Sequence, residues 1–221
     1  MPSPTSPRPL PSRLSRLGIF PLPSAQLFPH TLLPLHVFEP RYRALTRDCL
    51  AGSRLMAVAL LKPGYEPRYA ERPDVHPVCG VGEIVEHRRY PDGRYDILLR
   101  GLGRVRIVRE LPPDEPYRLV EADRLDEPFA EGPHVIAAHQ ALLVLCDRLA
   151  AALPDGGETL RALAREEDDP CACADVLCAA LITEPDERQE ALEALDPIDR
   201  LDRASAAAAL LLDRFTLKSA N

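Results

Sequence analysis

The stretch that decides the fold is residues 19–45, which read IFPLPSAQLFPHTLLPLHVFEPRYRAL. It is apolar and is interrupted by prolines at positions 21, 23, 29, 34 and 40. Each proline fixes its own φ angle and removes a backbone hydrogen-bond donor, so strands here must be short and lie at edges or corners of a sheet. The stretch therefore predicts a compact, folded-back sheet. Glu39 and Pro40 then predict a helix start, with Pro40 at the first helical position.

The residues that follow predict more strands. An unbroken apolar run is typical of a central strand covered on both faces, and residues 55–61 have this pattern. Asp92-Gly93 supplies the positive φ angles of a tight hairpin turn. Gly101-Leu102-Gly103 interrupts a strand alternation and predicts a bulge or bend that closes a small barrel. The remaining predicted strands are residues 78–90, 94–111 and 117–125.

These motifs resemble one known family. The apolar opening followed by Phe28-Pro29 and the run LLPLHVFEPRY at 32–42 are similar to the start of the Lon substrate-binding domain. The segments GVGEI at 80–84, PDG at 91–93 and RGLGRVRI at 100–107 are similar to later motifs of the same family. This domain begins Lon proteases and also occurs alone in small bacterial proteins. The resemblance implies a PUA-like β fold and a role in recognising protein substrates.

A second part of the chain has a different composition. Residues 1–110 carry 17 basic and 10 acidic side chains, whereas residues 111–221 carry 10 and 24. From about residue 132 the apolar spacing is that of helices, with proline-marked starts that predict a bundle of about five. The predicted fold class is therefore α+β: a small closed PUA-like β-barrel over residues 17–127, then a helical bundle over residues 128–218. Residues 1–16 are predicted to be a disordered tail.

The sequence argues against catalysis. No G-x-x-x-x-G-K-[ST] loop is present, and neither lysine, Lys62 or Lys218, has a plausible serine partner for a Ser-Lys peptidase. We therefore expect no enzyme activity and no cofactor.

The spacing of Cys171, Cys173 and Cys178 does not suit a zinc site, so we expect no metal. The chain has six cysteines, four of them in apolar or helical patterns, which favours reduced thiols and a cytoplasmic protein. Apolar runs well under about 20 residues predict no membrane span.

Two functions compete. Residues 84–110 contain seven arginines and four acids, which keeps an RNA-binding PUA-like protein as the alternative. The resemblance favours a non-catalytic module that binds unfolded or extended protein segments in protein quality control, with a separate protease or ATPase as a further candidate partner. The candidate peptide-binding residues are His36, Phe38, Arg41 and Tyr42, with the loop after Lys62 as a rim. For His36, packing or hydrogen bonding is the alternative role.

Overall fold

The computed structural model describes residues 9–128 and 131–219, and the chain divides into two compact units, Met1–Leu125 and Asp126–Asn221. We call them the β unit and the helical unit. The β unit contains β1 (Arg13–Leu22), β2 (Leu32–Val37), α1 (Pro40–Ala51), β3 (Leu55–Leu60), β4 (Val78–Arg89), β5 (Tyr95–Glu110) and β6 (Arg118–Leu125). The helical unit contains α2 (Pro133–Ala152), α3 (Gly157–Glu166), α4 (Pro170–Leu181), α5 (Pro185–Glu193) and α6 (Pro197–Ser219). The predicted α+β class is confirmed.

The strands of the β unit form one mixed sheet in the order β2-β5-β4-β3-β1-β6. β1 and β3 are parallel and the other pairs are antiparallel. Because β6 also pairs with β5, strands β5, β4, β3, β1 and β6 make a closed ring of pairings. β2 lies outside this ring, attached to the first half of β5. It is therefore an edge strand, as Pro34 within it predicts.

Strands β1 and β3 are covered on both faces. Ile19 pairs with Ala57, and both belong to one apolar cluster, whereas Phe20 and Val58, the next pair, belong to a second cluster that contains the buried face of α1. This confirms the interpretation of residues 55–61 as a doubly covered strand. Contact between α1 and β1 is close, since a Cβ added at Gly18 would overlap Leu45.

Both glycine motifs have the predicted consequences. Gly93 has a φ of +85° in the turn between β4 and β5, a value that strongly favours glycine. In the β4–β5 pairing Val81 faces Gly103 and Gly82 faces Gly101, so Leu102 is the extra residue of a bulge. A Cβ at Gly101 would overlap the carbonyl of Phe28, because the proline-rich segment crosses the sheet there.

The prediction of a disordered tail over residues 1–16 is wrong for the described residues 9–16. β1 begins at Arg13, and Leu10 and Leu14 are buried in the same cluster as Ile19. The strand was hidden because its register against β6 shifts between Leu14 and Leu17. This irregularity puts residues three apart on the same buried side and destroys the two-residue period. Residues 1–8 lie outside the described part of the chain.

Proline sets most helix starts of the helical unit. α2, α4, α5 and α6 each begin at a proline, and the Asp169 carboxylate caps α4 by accepting a hydrogen bond from the Ala172 N–H (3.0 Å). In the sequence, Thr183 with Asp186 three residues later resembles a capping box, but Glu184 is the N-cap of α5 and makes no side-chain cap, so the helix begins one residue later than that motif requires.

α2 is, among the described helices, the one long and apolar enough to cross a membrane, with a mean hydropathy of 1.5 over its best window. The short apolar runs in the sequence did not predict this. Core helices of soluble proteins pass the same test of length and composition. Leu142, Cys146 and Leu149 of α2 are buried within the helical unit.

Candidate functional site

The outer side of β2 presents a row of side chains to solvent. Leu33, Leu35 and Val37 point inward, while Leu32, Pro34 and His36 alternate with them and are exposed. Phe38, which follows the strand, is 61% exposed, and Leu32 is 59% exposed. Two large apolar side chains thus flank the ends of a six-residue edge strand. We call Leu32, Pro34, His36, Phe38 and the neighbouring Tyr90 the β2 surface.

The backbone of β2 also has a free side. The Thr31 carbonyl accepts a hydrogen bond from the Gly101 N–H (2.9 Å), so this carbonyl points toward β5. Because strand backbone groups alternate in direction, the N–H and C=O groups of Leu32 and His36, and the C=O of Pro34, point away from β5. Among the described residues, β2 pairs with no strand on that side. The edge therefore offers two donors and three acceptors, with the middle donor removed by Pro34.

A carboxylate holds the polar part of the β2 surface in place. The Asp96 carboxylate lies opposite His36 in the strand register, 2.6 Å from its Nδ1, and also accepts a hydrogen bond from the Tyr90 hydroxyl. These two hydrogen bonds, the Tyr90 one foremost, lower the pKa of Asp96. Asp96 therefore stays ionised at neutral pH and orients both rings.

The rings of the β2 surface contact one another. His36 stacks on Phe38 with ring centroids 6.3 Å apart, and it meets Tyr90 edge-on at 6.2 Å. The Arg88 guanidinium lies 5.0 Å from the centre of the Tyr90 ring. An aromatic group of this kind, partly fixed and partly exposed, suits contact with apolar side chains of a partner.

Tyr42 is a core residue, so its place among the candidate surface residues is wrong. It is 4% exposed, its ring centroid lies 4.2 Å from that of Phe20, and burial raises the pKa of its hydroxyl. Tyr42, Leu45 and Cys49 are spaced three and four residues apart, a helical pattern that places all three on the buried face of α1. The adjacency of Tyr42 to the LLPLHVFEP run was the misleading signal.

Arg41 is half-buried and fastens a loop. Its guanidinium donates to Glu39 Oε2 (3.0 Å) and to the carbonyl of Tyr69 (3.3 Å), and the Tyr69 hydroxyl donates to Glu39 Oε1 (2.7 Å). Tyr69 belongs to residues 62–77, the loop predicted as a rim. Arg41 therefore ties that loop to the start of α1, which is a structural role that the sequence did not indicate.

Three residues of the site were missed by the sequence reasoning: Tyr90, Asp96 and Arg88. Asp96 and Arg88 pair across β5 and β4, and Asp96 pairs with His36 across β2 and β5. The signal that would have found them is the strand register: once β2 is placed antiparallel to β5, His36 and Asp96 become direct neighbours.

Of the seven arginines in residues 84–110 that supported the RNA-binding alternative, three pair with carboxylates and one is buried. Arg94 pairs with Asp92 (2.6 Å), Arg100 with Glu83 (3.1 Å) and Arg109 with Glu121. Arg104 is fully buried. Contacts with several phosphates would require these guanidinium groups to leave their partners, so the basic surface available to a nucleic acid is smaller than the sequence count suggests.

Comparison of the sequence with known proteins identifies relatives of this chain. Residues 16–207 match the model of the ATP-dependent protease La (LON) substrate-binding domain. The chain is 28% identical over 174 residues to the Lon protease of Dictyoglomus thermophilum, a match that covers 79% of this chain and 22% of that protein. It is 30% identical over 122 residues to Lon protease 2 of Syntrophobacter fumaroxidans, covering 55% and 15%. The chain thus spans about a fifth of the length of these curated relatives or less.

Two solved structures share the fold. One is the Lon N-terminal domain protein from Xanthomonas campestris, with a TM-score of 0.65 and 24% identity, covering 87% of this chain and 98% of that one. The other is the N-terminal domain of Mycobacterium avium complex Lon protease, with a TM-score of 0.64 and 18% identity, covering 88% and 98%. Since the family model covers most of the sequence, the chain belongs to the LON substrate-binding domain family.

Proposed function

We propose that this protein is a non-catalytic module that binds unfolded or extended segments of other proteins through the β2 surface. The observation that carries the proposal is the exposed row Leu32, Pro34, His36 and Phe38 on an edge strand with a free backbone side. Membership of a family described as substrate-binding supports it.

The backbone of β2 suggests how such a segment is held. An extended chain can pair with the free donors of Leu32 and His36 while its side chains contact Leu32 and Phe38. Main-chain pairing is independent of sequence, so many segments fit. Pro34 removes the central donor and limits the number of hydrogen bonds. We therefore expect weak binding, with dissociation constants of about 1 µM or more.

In this role the module recognises clients for protein quality control in the cytoplasm, and a separate protease or ATPase acts on them. The curated relatives support this assignment, because they are Lon proteases in which the matching segment is 22% of the length or less. In this proposal the chain performs only the recognition of clients.

Titration of a dye-labelled, uncharged peptide rich in Leu and Phe, followed by fluorescence anisotropy, tests the proposal. Phe38→Ala should weaken binding by about 5–30-fold, since its exposed ring can bury a large apolar area. Val108→Ala is the matched control, because Val108 is an apolar residue of β5 that is 48% exposed and outside the β2 surface. The control should bind as the unmodified protein does.

A single-stranded RNA of similar length is the competing probe. Binding of the uncharged peptide should be nearly indifferent to salt, whereas RNA binding falls steeply with salt. Tight, salt-sensitive RNA binding without a peptide signal would contradict the proposal and establish the RNA-binding alternative.

A further inference from the structure

A small cavity of about 230 Å³ lies beside the start of α1 and the β4–β5 turn. Its lining, among the described residues, contains three arginines and no acid. Arg43 and Arg47 come from α1, and Arg89 comes from the end of β4. We call it the arginine pocket; Pro40, Ala44, Gly93 and Tyr95 complete its lining.

Most of the described arginines of the β unit pair with carboxylates, and two of the exceptions line this pocket. Nine other guanidinium groups of the unit each have a carboxylate partner within 4 Å: Arg13, Arg16, Arg41, Arg68, Arg72, Arg94, Arg100, Arg109 and Arg118. In the arginine pocket, Arg47 pairs with Asp48 (2.9 Å). Arg43 and Arg89 have no ion pair within the described residues of the β unit; Arg89 lies over the Tyr95 ring at 5.9 Å.

The turn keeps Arg43 in the pocket. A Cβ at Gly93 would overlap the Arg43 guanidinium, so the side chain packs directly on the backbone of the turn. Hydrogen bonds from the Arg94 backbone N–H (3.0 Å) and side chain (2.6 Å) lower the pKa of the Asp92 carboxyl, and the charge of Arg43 adds a smaller effect in the same direction. Arg43 and Arg89 line the same cavity, so a carboxylate placed in it would be attracted by both guanidinium groups.

The size of the cavity limits that anion. A volume of about 230 Å³ is below the range of roughly 300–1,000 Å³ typical of sites for cofactors and drug-sized ligands. It suits a single side chain. A carboxylate matches the planar, forked guanidinium groups and accepts two hydrogen bonds from one of them.

The pocket is close to the β2 surface. Pro40 lines it, and Phe38 is two residues earlier, so their Cα atoms are separated by no more than about 7 Å. A segment bound against Phe38 therefore reaches the pocket with a residue two or three positions further along. The charge of this part of the chain is complementary to an acidic segment, with 17 basic and 10 acidic residues over positions 1–110.

We infer that the arginine pocket binds the carboxylate of an Asp or Glu side chain in the client, so that this protein selects extended segments that combine apolar and acidic residues. This inference rests on the proposed function, because it names the class of client that the β2 surface takes.

Two labelled peptides test it. They share a Leu- and Phe-rich part, followed by Asp-Glu in one and Asn-Gln in the other. The unmodified protein should bind the acidic peptide about tenfold more tightly at low salt, since hydrogen bonds between charged groups are the stronger kind and are screened as salt rises. Arg43→Gln with Arg89→Gln should abolish this preference and leave the affinity for the neutral peptide unchanged.

Arg13→Gln with Arg68→Gln is the matched control, because it removes the same charge from exposed positions outside the pocket. It should retain most of the preference. Arg89→Gln alone, an exposed change, should reduce the preference without affecting folding, which guards against an unfolding effect of Arg43→Gln.

The outcomes separate the inference from the proposed function. Equal affinity for both peptides, or a preference that survives the pocket variant, overturns the inference and leaves the proposed function standing. Absence of binding to either peptide overturns both. An RNA that binds the unmodified protein more tightly than either peptide and is released by the pocket variant also overturns the inference, because the pocket would then serve phosphates.

Discussion

Phe38 and Tyr42 are four residues apart, yet their replacement by alanine should have opposite effects. Phe38 is 61% exposed and belongs to the β2 surface, whereas Tyr42 is 4% exposed and packs on Phe20. Phe38→Ala should weaken peptide binding and leave the protein as stable as before. Tyr42→Ala should destabilise the β unit and affect binding only through unfolding.

The magnitudes follow from burial. Truncating a buried aromatic side chain costs about 3–5 kcal/mol, from lost apolar burial and the cavity left behind. For a unit of this size that corresponds to a fall in Tm of about 12–20 °C. An exposed position changes stability by about 0.5 kcal/mol or less, which is a shift of about 2 °C. Covering the exposed part of the Phe38 ring with a ligand is worth about 1–2 kcal/mol, hence the 5–30-fold loss of affinity.

Intrinsic tyrosine fluorescence is a selective assay. The chain has no tryptophan, and all six tyrosines lie between positions 42 and 117, within the β unit. Tyrosine emission therefore reports the melting of this unit, and far-UV circular dichroism is weighted toward the helices. If Phe38→Ala lowered the tyrosine-monitored Tm as far as Tyr42→Ala does, the assignment of Phe38 to a binding surface would be refuted. Full peptide affinity in Phe38→Ala would refute it equally.

Three further predictions concern stability and reactivity. Asp175→Asn should destabilise the helical unit by about 1.5–3 kcal/mol in far-UV melts, because it removes the 3.2 Å carboxylate partner of the fully buried Arg200 and leaves Glu127 (2.6 Å) as the other. Cys173, whose pKa burial raises to about 11, should resist alkylation at about pH 8 until urea unfolds the helical unit; fast labelling of the folded protein would contradict this. The hydrogen bonds from Arg47 and then Tyr117 lower the pKa of Asp48. Its contribution to stability should therefore be present above about pH 4 and be lost as pH falls through the lower folded-state pKa, and Asp48→Asn should flatten this part of the tyrosine-monitored acid unfolding curve.

The elements that could be predicted from the sequence are those specified by local physics. Pro40 predicts the start of α1 because a proline without an N–H costs nothing in the first helical turn. Gly93 predicts the hairpin because its φ of +85° excludes most other residues. In each case the residue type and the backbone requirement lie within a few positions of one another, so one window of sequence contains both.

The elements that could not be predicted depend on pairing between distant segments. The Asp96 carboxylate reaches His36 across 60 positions, and neither residue is distinctive in its own window. The first part of β1 was missed because its register shift against β6 places Leu14 and Leu17 on the same side. The proposed role of Arg43 depends on which arginines pair with carboxylates. That pairing is set by the folded sheet and cannot be inferred from the local sequence.

An exposed edge strand with large apolar side chains invites pairing with any other extended chain, including another copy of itself. Pro34 reduces this tendency because it removes the central donor, and a self-paired edge would lose that hydrogen bond twice. Under the proposed function, a client segment would lose it once and gain contact with Phe38 and, where it carries an acid, with the arginine pocket. Pro34 would then lower the affinity of the edge for chains in general, and Arg43 and Arg89, which have no ion pair within the described residues, would restore affinity for a subset. Weak main-chain pairing combined with a carboxylate contact would give selectivity without tight binding, which is what the proposed role requires of a module that releases its clients.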